Sequence, residues 1–232
     1  LIGKVLLDAG FKVGIIAQPD ITSPQDITRL GEPALFWGVT AGSVDSLVAN
    51  YTASRKRRRS DDYTPGGVNN RRPDRASIVY TNLIRRSFKN TVPIVLGGIE
   101  ASLRRIAHYD YWSDRVDLLL YGMADGSVVD LASRLRDGRE IHTLRGLCYL
   151  AREKPQGYIE LPDFDQVSRD KQSFVEMFHT FYRNNDPITA KGLVQKHGDR
   201  YLIQNPPAVY PTQAELDRVY SLPFERAQHP FY

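Results

Sequence analysis

Val92-Pro93-Ile94-Val95-Leu96-Gly97-Gly98-Ile99-Glu100-Ala101-Ser102 reads as a short buried strand that ends abruptly on two glycines. Val92, Ile94, Val95 and Leu96 form an apolar run without polar alternation, the pattern of a strand covered on both faces. Pro93 then sits at the strand's first residue, where a missing N–H costs little. Gly97 and Gly98 have no Cβ, so they can turn at positive φ and let a ligand or a helix approach the backbone closely. A ligand-binding turn and an empty strand-to-helix turn are both open readings here.

Working outward, residues 12–17 and 34–40 read as further strands, and Leu1, Val5 and Leu6 mark one face of an opening helix that Gly10 ends. A helix is expected over residues 44–51 with Ser43 or Asp45 near its N-cap. Residues 52–74, rich in Arg, Asp, Gly, Pro and Asn, read as a long surface loop of the kind that is functional or mobile. A helix over 75–88 leads into the glycine-ended strand, and a strand at 117–122 and a helix at 127–135 follow. This alternation points to an α/β fold with a doubly wound, mostly parallel sheet. Right-handed crossovers then place the loops after Thr40, Leu96 and Tyr121 along one edge, where ligands of such sheets bind. From about Glu140 the pattern changes to short strand-like pieces at 141–150, a helix near 166–182 and a Pro-rich tail ending Phe231-Tyr232. We therefore expect an α/β domain over 1–139 and an irregular, helical, Pro-rich extension over 140–232. No internal repeat is present.

With 41% hydrophobic and 25% charged residues over 232 positions, the chain can bury one large or two modest cores. It has no run of about 18 apolar residues, and its start resembles neither a signal nor a transit peptide, so no membrane partner and a cytoplasmic location are expected. The absence of an initiator Met, with an opening inside a helix, reads as a piece of a longer polypeptide. A single cysteine, Cys148, excludes an intrachain disulfide and a Cys-rich zinc or iron–sulfur site made by this chain alone; its apolar surroundings suggest a buried structural thiol. His108, His142, His179, His197 and His229 are too widely spaced for a metal site. Neither GxGxxG nor a P-loop occurs, so a nucleotide-dependent oxidoreductase would rest on fold analogy alone.

The formal charge of +4 is concentrated in Arg55-Lys56-Arg57-Arg58-Arg59, with Arg71, Arg72 and Arg75 beyond. Such a run raises the competing class of a nucleic-acid-binding module. Against it, Asp61 and Asp62 follow at once and no reader helix accompanies the run, whose position suits covering a cleft or meeting an anionic substrate. Just past the glycine turn lie Glu100, Arg104, Arg105, His108, Asp110 and Asp114. Glu100 and Arg104 stand at i and i+4, the spacing of a surface ion pair; alternatively, Glu100 and His108 are the leading candidates for proton transfer toward a substrate. Thr40, Ser43, Asp45, Asn50, Tyr51, Gly97, Gly98, Arg104, Asp110 and Lys191 complete the expected ligand edge or substrate cleft. Lys191, Gln195, Lys196 and His197, with Gly192 and Gly198, form either a basic anion-holding loop or a solvated turn.

Several strings together resemble the N-terminal half of the YgiQ-type (UPF0313) radical SAM proteins. They are Gly38-Val39-Thr40-Ala41-Gly42, Val48-Ala49-Asn50-Tyr51-Thr52-Ala53, Arg72-Pro73-Asp74-Arg75-Ala76, Leu96-Gly97-Gly98-Ile99-Glu100-Ala101-Ser102-Leu103-Arg104-Arg105, His108-Tyr109-Asp110-Tyr111-Trp112-Ser113-Asp114, and the segment from Thr189 to Leu202. The resemblance implies a following radical SAM barrel whose CxxxCxxC motif holds a [4Fe-4S] cluster that, with S-adenosylmethionine, generates a 5'-deoxyadenosyl radical. Those cysteines are not in this chain, which would then be an accessory domain that is not catalytic alone, its 140–232 extension packing on its own C-terminal barrel; the family also usually has more residues between Asp114 and Asp117. A second, weaker resemblance is to flavodoxin-like, cobalamin-binding domains, through Gly10, Ile15-Ile16, Gly42-Ser43, Gly97-Gly98 and Tyr121-Gly122. In that fold the paired glycines make room for the corrinoid tail. The loop carrying the lower axial His belongs to a first strand that is absent here, and a Trp at position 37 would fill the tail's slot. A cofactor-free domain of that fold is the expectation, and corrinoid binding the alternative.

Overall fold

The computed structural model describes residues 1–64, 66–113 and 115–225; Asp114 of the polar group, and His229, Phe231 and Tyr232, lie outside the described residues. Three short strands, β1 (Trp37–Val39), β2 (Ile94–Leu96) and β3 (Leu118–Leu120), pair in parallel. All three residues of β2 are buried: Ile94 and Leu96 join the core on one face of the sheet, Val95 the core on the other. That is why this strand shows no polar alternation. On the first face lie Ile27 of α2 (Gln25–Thr28), Leu83 and Ile84 of α4 (Ala76–Ser87) and Trp112 of α6 (Tyr109–Trp112). On the second lie Leu6 of α1 (Ile2–Asp8) and Val128, Leu131 and Ala132 of α7 (Asp125–Arg136).

The expected α/β architecture is present, and its sheet runs on past residue 139. After α7 the segment 139–146 recrosses the layer, so that β4 (Leu147–Ala151) enters from the carboxyl edge and pairs antiparallel with β3, Leu120 opposite Leu147. Strands β5 (Ile159–Leu161), β6 (Leu193–His197) and β7 (Arg200–Gln204) complete, among the described residues, a seven-stranded sheet in the order β1-β2-β3-β4-β7-β6-β5. The sheet is parallel through β1–β3 and between β5 and β6, and antiparallel elsewhere. The boundary expected at residue 139 thus falls inside one sheet, and the prolines of the expected extension stand between its elements: Pro187 before β6, Pro206, Pro207 and Pro211 between β7 and α10 (Gln213–Ser221), and Pro223 just past α10.

Three local expectations change. Residues 12–17 form no strand: among the described residues no backbone hydrogen bond holds them, although Val13 and Ile16 still pack on opposite faces of the sheet. The helix expected near 166–182 is two, α8 (Phe164–Arg169) and α9 (Lys171–Arg183), because the extended Asp170 caps the second by accepting from the Ser173 N–H. The supposed basic loop around Lys196 is instead the β6–β7 hairpin, closed by two residues with Gly198 at φ +61°. Its alternation sends Gln195 and His197 inward and Lys196 out. Gln195 Oε1 accepts from the Ala107 N–H at 3.0 Å, and its amide donates to the Pro162 carbonyl.

His197 is 4% exposed, stacked on Phe164 and Tyr109, with Nε2 at 2.9 Å from Gln195 Oε1. Burial pushes its pKa down to about 4 against the opposing pull of the Asp165 carboxylate. An unfolded histidine titrates near 6.5, so on acidification the unfolded chain takes up this proton first. The stability carried by neutral His197 is complete above about pH 6.5 and is lost as the pH falls to about 4, a difference of up to about 3 kcal/mol. Unfolding free energies measured across that window should fall more steeply for the native protein than for His197→Phe.

Candidate functional site at the carboxyl edge of the sheet

Glu100 belongs to α5 (Gly98–Leu103), the short helix that follows β2, and it is 1% exposed rather than on the surface. Its Oε2 accepts from the Ser46 N–H at 2.9 Å and from the Ser46 hydroxyl; its Oε1 accepts from the Ser77 N–H and the Tyr111 hydroxyl, each at 3.1 Å. Ser46 opens α3 (Ser46–Asn50) and Ser77 lies in the first turn of α4, so the carboxylate joins two helix N-termini, where backbone N–H groups lack intrahelical partners and favour negative charge. Burial, followed by the Glu100 charge, raises the Tyr111 pKa and keeps that hydroxyl a donor. The four donors account for both carboxylate oxygens.

Arg104 makes no i, i+4 pair with that carboxylate. It stands at the C-cap of α5, where it donates to the buried Asp45 carboxylate and to the Glu100 backbone carbonyl. Asp45, rather than Ser43, is the α3 N-cap, accepting from the Leu47 and Val48 N–H groups. Asn50 and Tyr51 hold Asp74, at 2.8 and 2.7 Å, and Asn50 also donates to the Arg72 carbonyl. Residues 52–74 are accordingly more than a solvated loop. Arg72 and Asp61 form a buried ion pair at 3.2 Å, and Arg72 donates at 2.8 Å to the Ala41 carbonyl just past β1. Within the basic run, Arg58 donates to the Val48 and Tyr51 carbonyls while Arg57 lies over the Tyr51 ring near Asp74; Arg55, Lys56 and Arg59 are exposed.

The glycine turn is close-packed by protein. Gly98 has φ +82°, and a Cβ there would lie 2.5 Å from Thr40 Oγ1, while Gly97 is extended with open space beside it. Trp37 does not occupy this region. Its ring packs against Phe88, and its Nε1 donates to Thr91 at 2.8 Å, at the amino end of β1. Thr40 therefore takes the space beside Gly98 that Trp37 was expected to restrict. Thr40, Ser43 and Gly98 are exposed at this edge; Lys191 is exposed just before β6, its backbone N–H donating to Asn184. Asp110 pairs with Arg75 on the surface. His108 is exposed, its pKa held below the ordinary value by partial desolvation and by the Arg104 and Arg75 cations, against Asp110.

The sequence reading missed the environment of Arg105. Its guanidinium lies between the Tyr121 and Phe181 rings, at 4.6 and 4.4 Å, and donates to Gln204 Oε1, Asn185 Oδ1 and the Ser102 carbonyl. All three acceptors are neutral, and among the described residues no carboxylate pairs with it. Burial lowers its pKa. The doublet Arg104-Arg105 was the available signal: two adjacent cations repel and point in different directions where a helix ends, so they require different partners. A cleft of about 270 Å³, lined by Thr91, Asp117, His142 and Tyr149 among others, opens at the opposite, amino edge.

These contacts define an α/β domain whose carboxyl edge is held by buried carboxylate and guanidinium clamps. Over residues 1–232 the chain matches the family model described as radical SAM N-terminal, and it belongs to that family. A UPF0313 protein of Fusobacterium nucleatum is 55% identical over 243 residues, covering 100% of this chain and 43% of that protein. One from Thermotoga petrophila is 53% identical with the same coverage. The chain thus spans less than half the length of these curated relatives. Among solved structures, the radical S-adenosylmethionine methyltransferase TsrM from Kitasatospora setae, with tryptophan substrate and a SAM analogue bound, is similar at a TM-score of 0.44 and 20% identity, over 74% of this chain and 29% of that one.

Two substitutions test the clamp and the turn. Glu100→Gln places an amide NH2 against a backbone N–H donor whichever way it is oriented, and should cost about 2–4 kcal/mol in denaturant unfolding; Tyr111→Phe, which removes one hydrogen bond, should cost about 1 kcal/mol. Gly98→Ala should destabilise by more than about 1 kcal/mol, and adding Thr40→Ala should recover the part due to the clash while leaving the part due to positive φ.

Proposed function

We propose that this chain is the N-terminal domain of a radical SAM enzyme whose C-terminal domain holds the [4Fe-4S] cluster and S-adenosylmethionine, and that it forms one wall of the substrate cleft without being catalytic alone. The match across the whole chain to the radical SAM N-terminal family carries this reading. When bound there, the cluster supplies reductive cleavage of S-adenosylmethionine to a 5'-deoxyadenosyl radical. The residues of this chain do not fit the cluster: its one cysteine, Cys148, is wholly buried in β4, and burial raises the thiol's pKa, disfavouring the thiolate that iron requires. Nor do we assign a corrinoid, since Thr40 fills the space beside Gly98.

In this reading Glu100, Asp45 and Arg104 hold the wall's loops in place, and His108 is an exposed titratable group available to exchange a proton at its surface. Nucleic-acid binding through the basic run is the competing reading; Arg57 and Arg58 are already engaged within the domain, which leaves Arg55, Lys56 and Arg59 to carry it. Full-length protein reconstituted anaerobically with iron and sulfide, then given S-adenosylmethionine and a reductant, should release 5'-deoxyadenosine. No product, or a full-length sequence without CxxxCxxC after this domain, would end the radical SAM reading. Salt-dependent retention of RNA or DNA in a filter-binding assay, lost on replacing Arg55, Lys56 and Arg59 with Ala, would favour the alternative.

A further inference from the structure

Helix α9 carries aromatic residues on two sides. Inward, Met177 and Phe181 pack into the small core beneath β6, and Phe181 also covers Arg105. Outward, Phe174, Phe178 and Tyr182 follow one another at i, i+4 and i+8, spanning about 12 Å along the helix. They are 47, 48 and 68% exposed, and the Phe178 and Tyr182 rings stack with centroids 6.1 Å apart. Val175 on the same helix and Ile188 just beyond it are exposed too. A helix facing only water presents polar residues on that side. Fully burying each such aromatic side chain is worth about 1.5–3 kcal/mol, so a contiguous stripe of them marks a contact surface.

We propose that the Phe174–Phe178–Tyr182 face of α9 is the surface on which the C-terminal domain of the same polypeptide docks. Two observations select this occupant. This region makes up only 43% of the curated relatives, so more than half of such a polypeptide lies outside it. The stripe also leads to the carboxyl edge, because Asn185, immediately past α9, accepts from Arg105, and Arg105 in turn covers Tyr121 at the end of β3. A domain seated on α9 would therefore reach the edge that bears Thr40, Gly98 and His108, and the cleft would be shared between the two parts. The proposal rests on the preceding reading only in that a C-terminal domain follows; it does not depend on that domain's chemistry.

The test is photocrosslinking in the full-length protein, with p-benzoylphenylalanine in place of Phe178 and, separately, of Tyr182. Exposed Leu7, on α1 and outside the cleft loops, serves as control position. Irradiation should give several-fold more adduct at positions 178 and 182 than at 7. The adduct should have the mass of a single polypeptide and map by peptide sequencing to residues C-terminal to this domain. Adducts of doubled mass would assign the face to a second copy, and adducts within this domain, or yields no higher than the control, would leave it without the proposed occupant; each of these results overturns the proposal. Crosslinking to the C-terminal domain without 5'-deoxyadenosine formation would sustain the docking and remove the radical SAM chemistry, while the reverse pair of results would remove the docking alone.

Discussion

The carboxylate of Glu100 meets a problem that the topology creates. Two helices, α3 and α4, begin near the carboxyl edge of the sheet, and each presents N–H groups without intrahelical partners at a place closed to water. One carboxylate delivered by the helix after β2 accepts from both, and from the Ser46 and Tyr111 hydroxyls as well. Removing a negative charge from water is costly unless hydrogen bonds replace its hydration, and here four donors do so. The positions of α3, α4, α5 and Tyr111 are thereby tied to a single side chain.

The surrounding polar pairs extend the same arrangement. Asp45 caps α3 and receives Arg104, while Asn50 and Tyr51 hold Asp74. Arg72, paired with Asp61, fastens the long arginine-bearing loop to the backbone after β1. A segment of such polar composition contributes little apolar burial of its own, so it is ordered by buried ionic and amide contacts. Groups that by type could perform acid–base work are in large part engaged in holding structure.

Arg105 and α9 link this edge to the far half of the sheet. A guanidinium beside two rings and three neutral acceptors joins the end of α5, the end of β3, β7 and the end of α9, spanning β3, β4 and β7 of the sheet. Strands β4–β7 are therefore continuous with the glycine-ended strand in hydrogen bonding and also in side-chain contact. The aromatic outer face of α9, Phe174, Phe178 and Tyr182, stays exposed.

The amino-acid sequence by itself determined the α/β class, the strands at β1, β2 and β3 and the helices α4 and α7, because runs such as Ile94-Val95-Leu96 and the spacing within 76–87 carry local periodicity that needs no partner to be read; the family followed separately, from the resemblance of longer strings such as 96–105. It also marked Glu100, Arg104 and His108 as neighbours of the glycine turn. Their roles were decided by tertiary structure. Whether Glu100 meets Arg104 four residues away or Ser46 and Ser77, 54 and 23 residues away, depends on where α5 stops and what lies over it. The same limit applies to residues 12–17, which have strand composition yet make no backbone hydrogen bond among the described residues, and to 193–204, whose polar Gln195 and His197 concealed a hairpin until the sheet buried them. Periodicity records which side of an element faces inward, and pairing over long sequence separations is settled only when the elements meet.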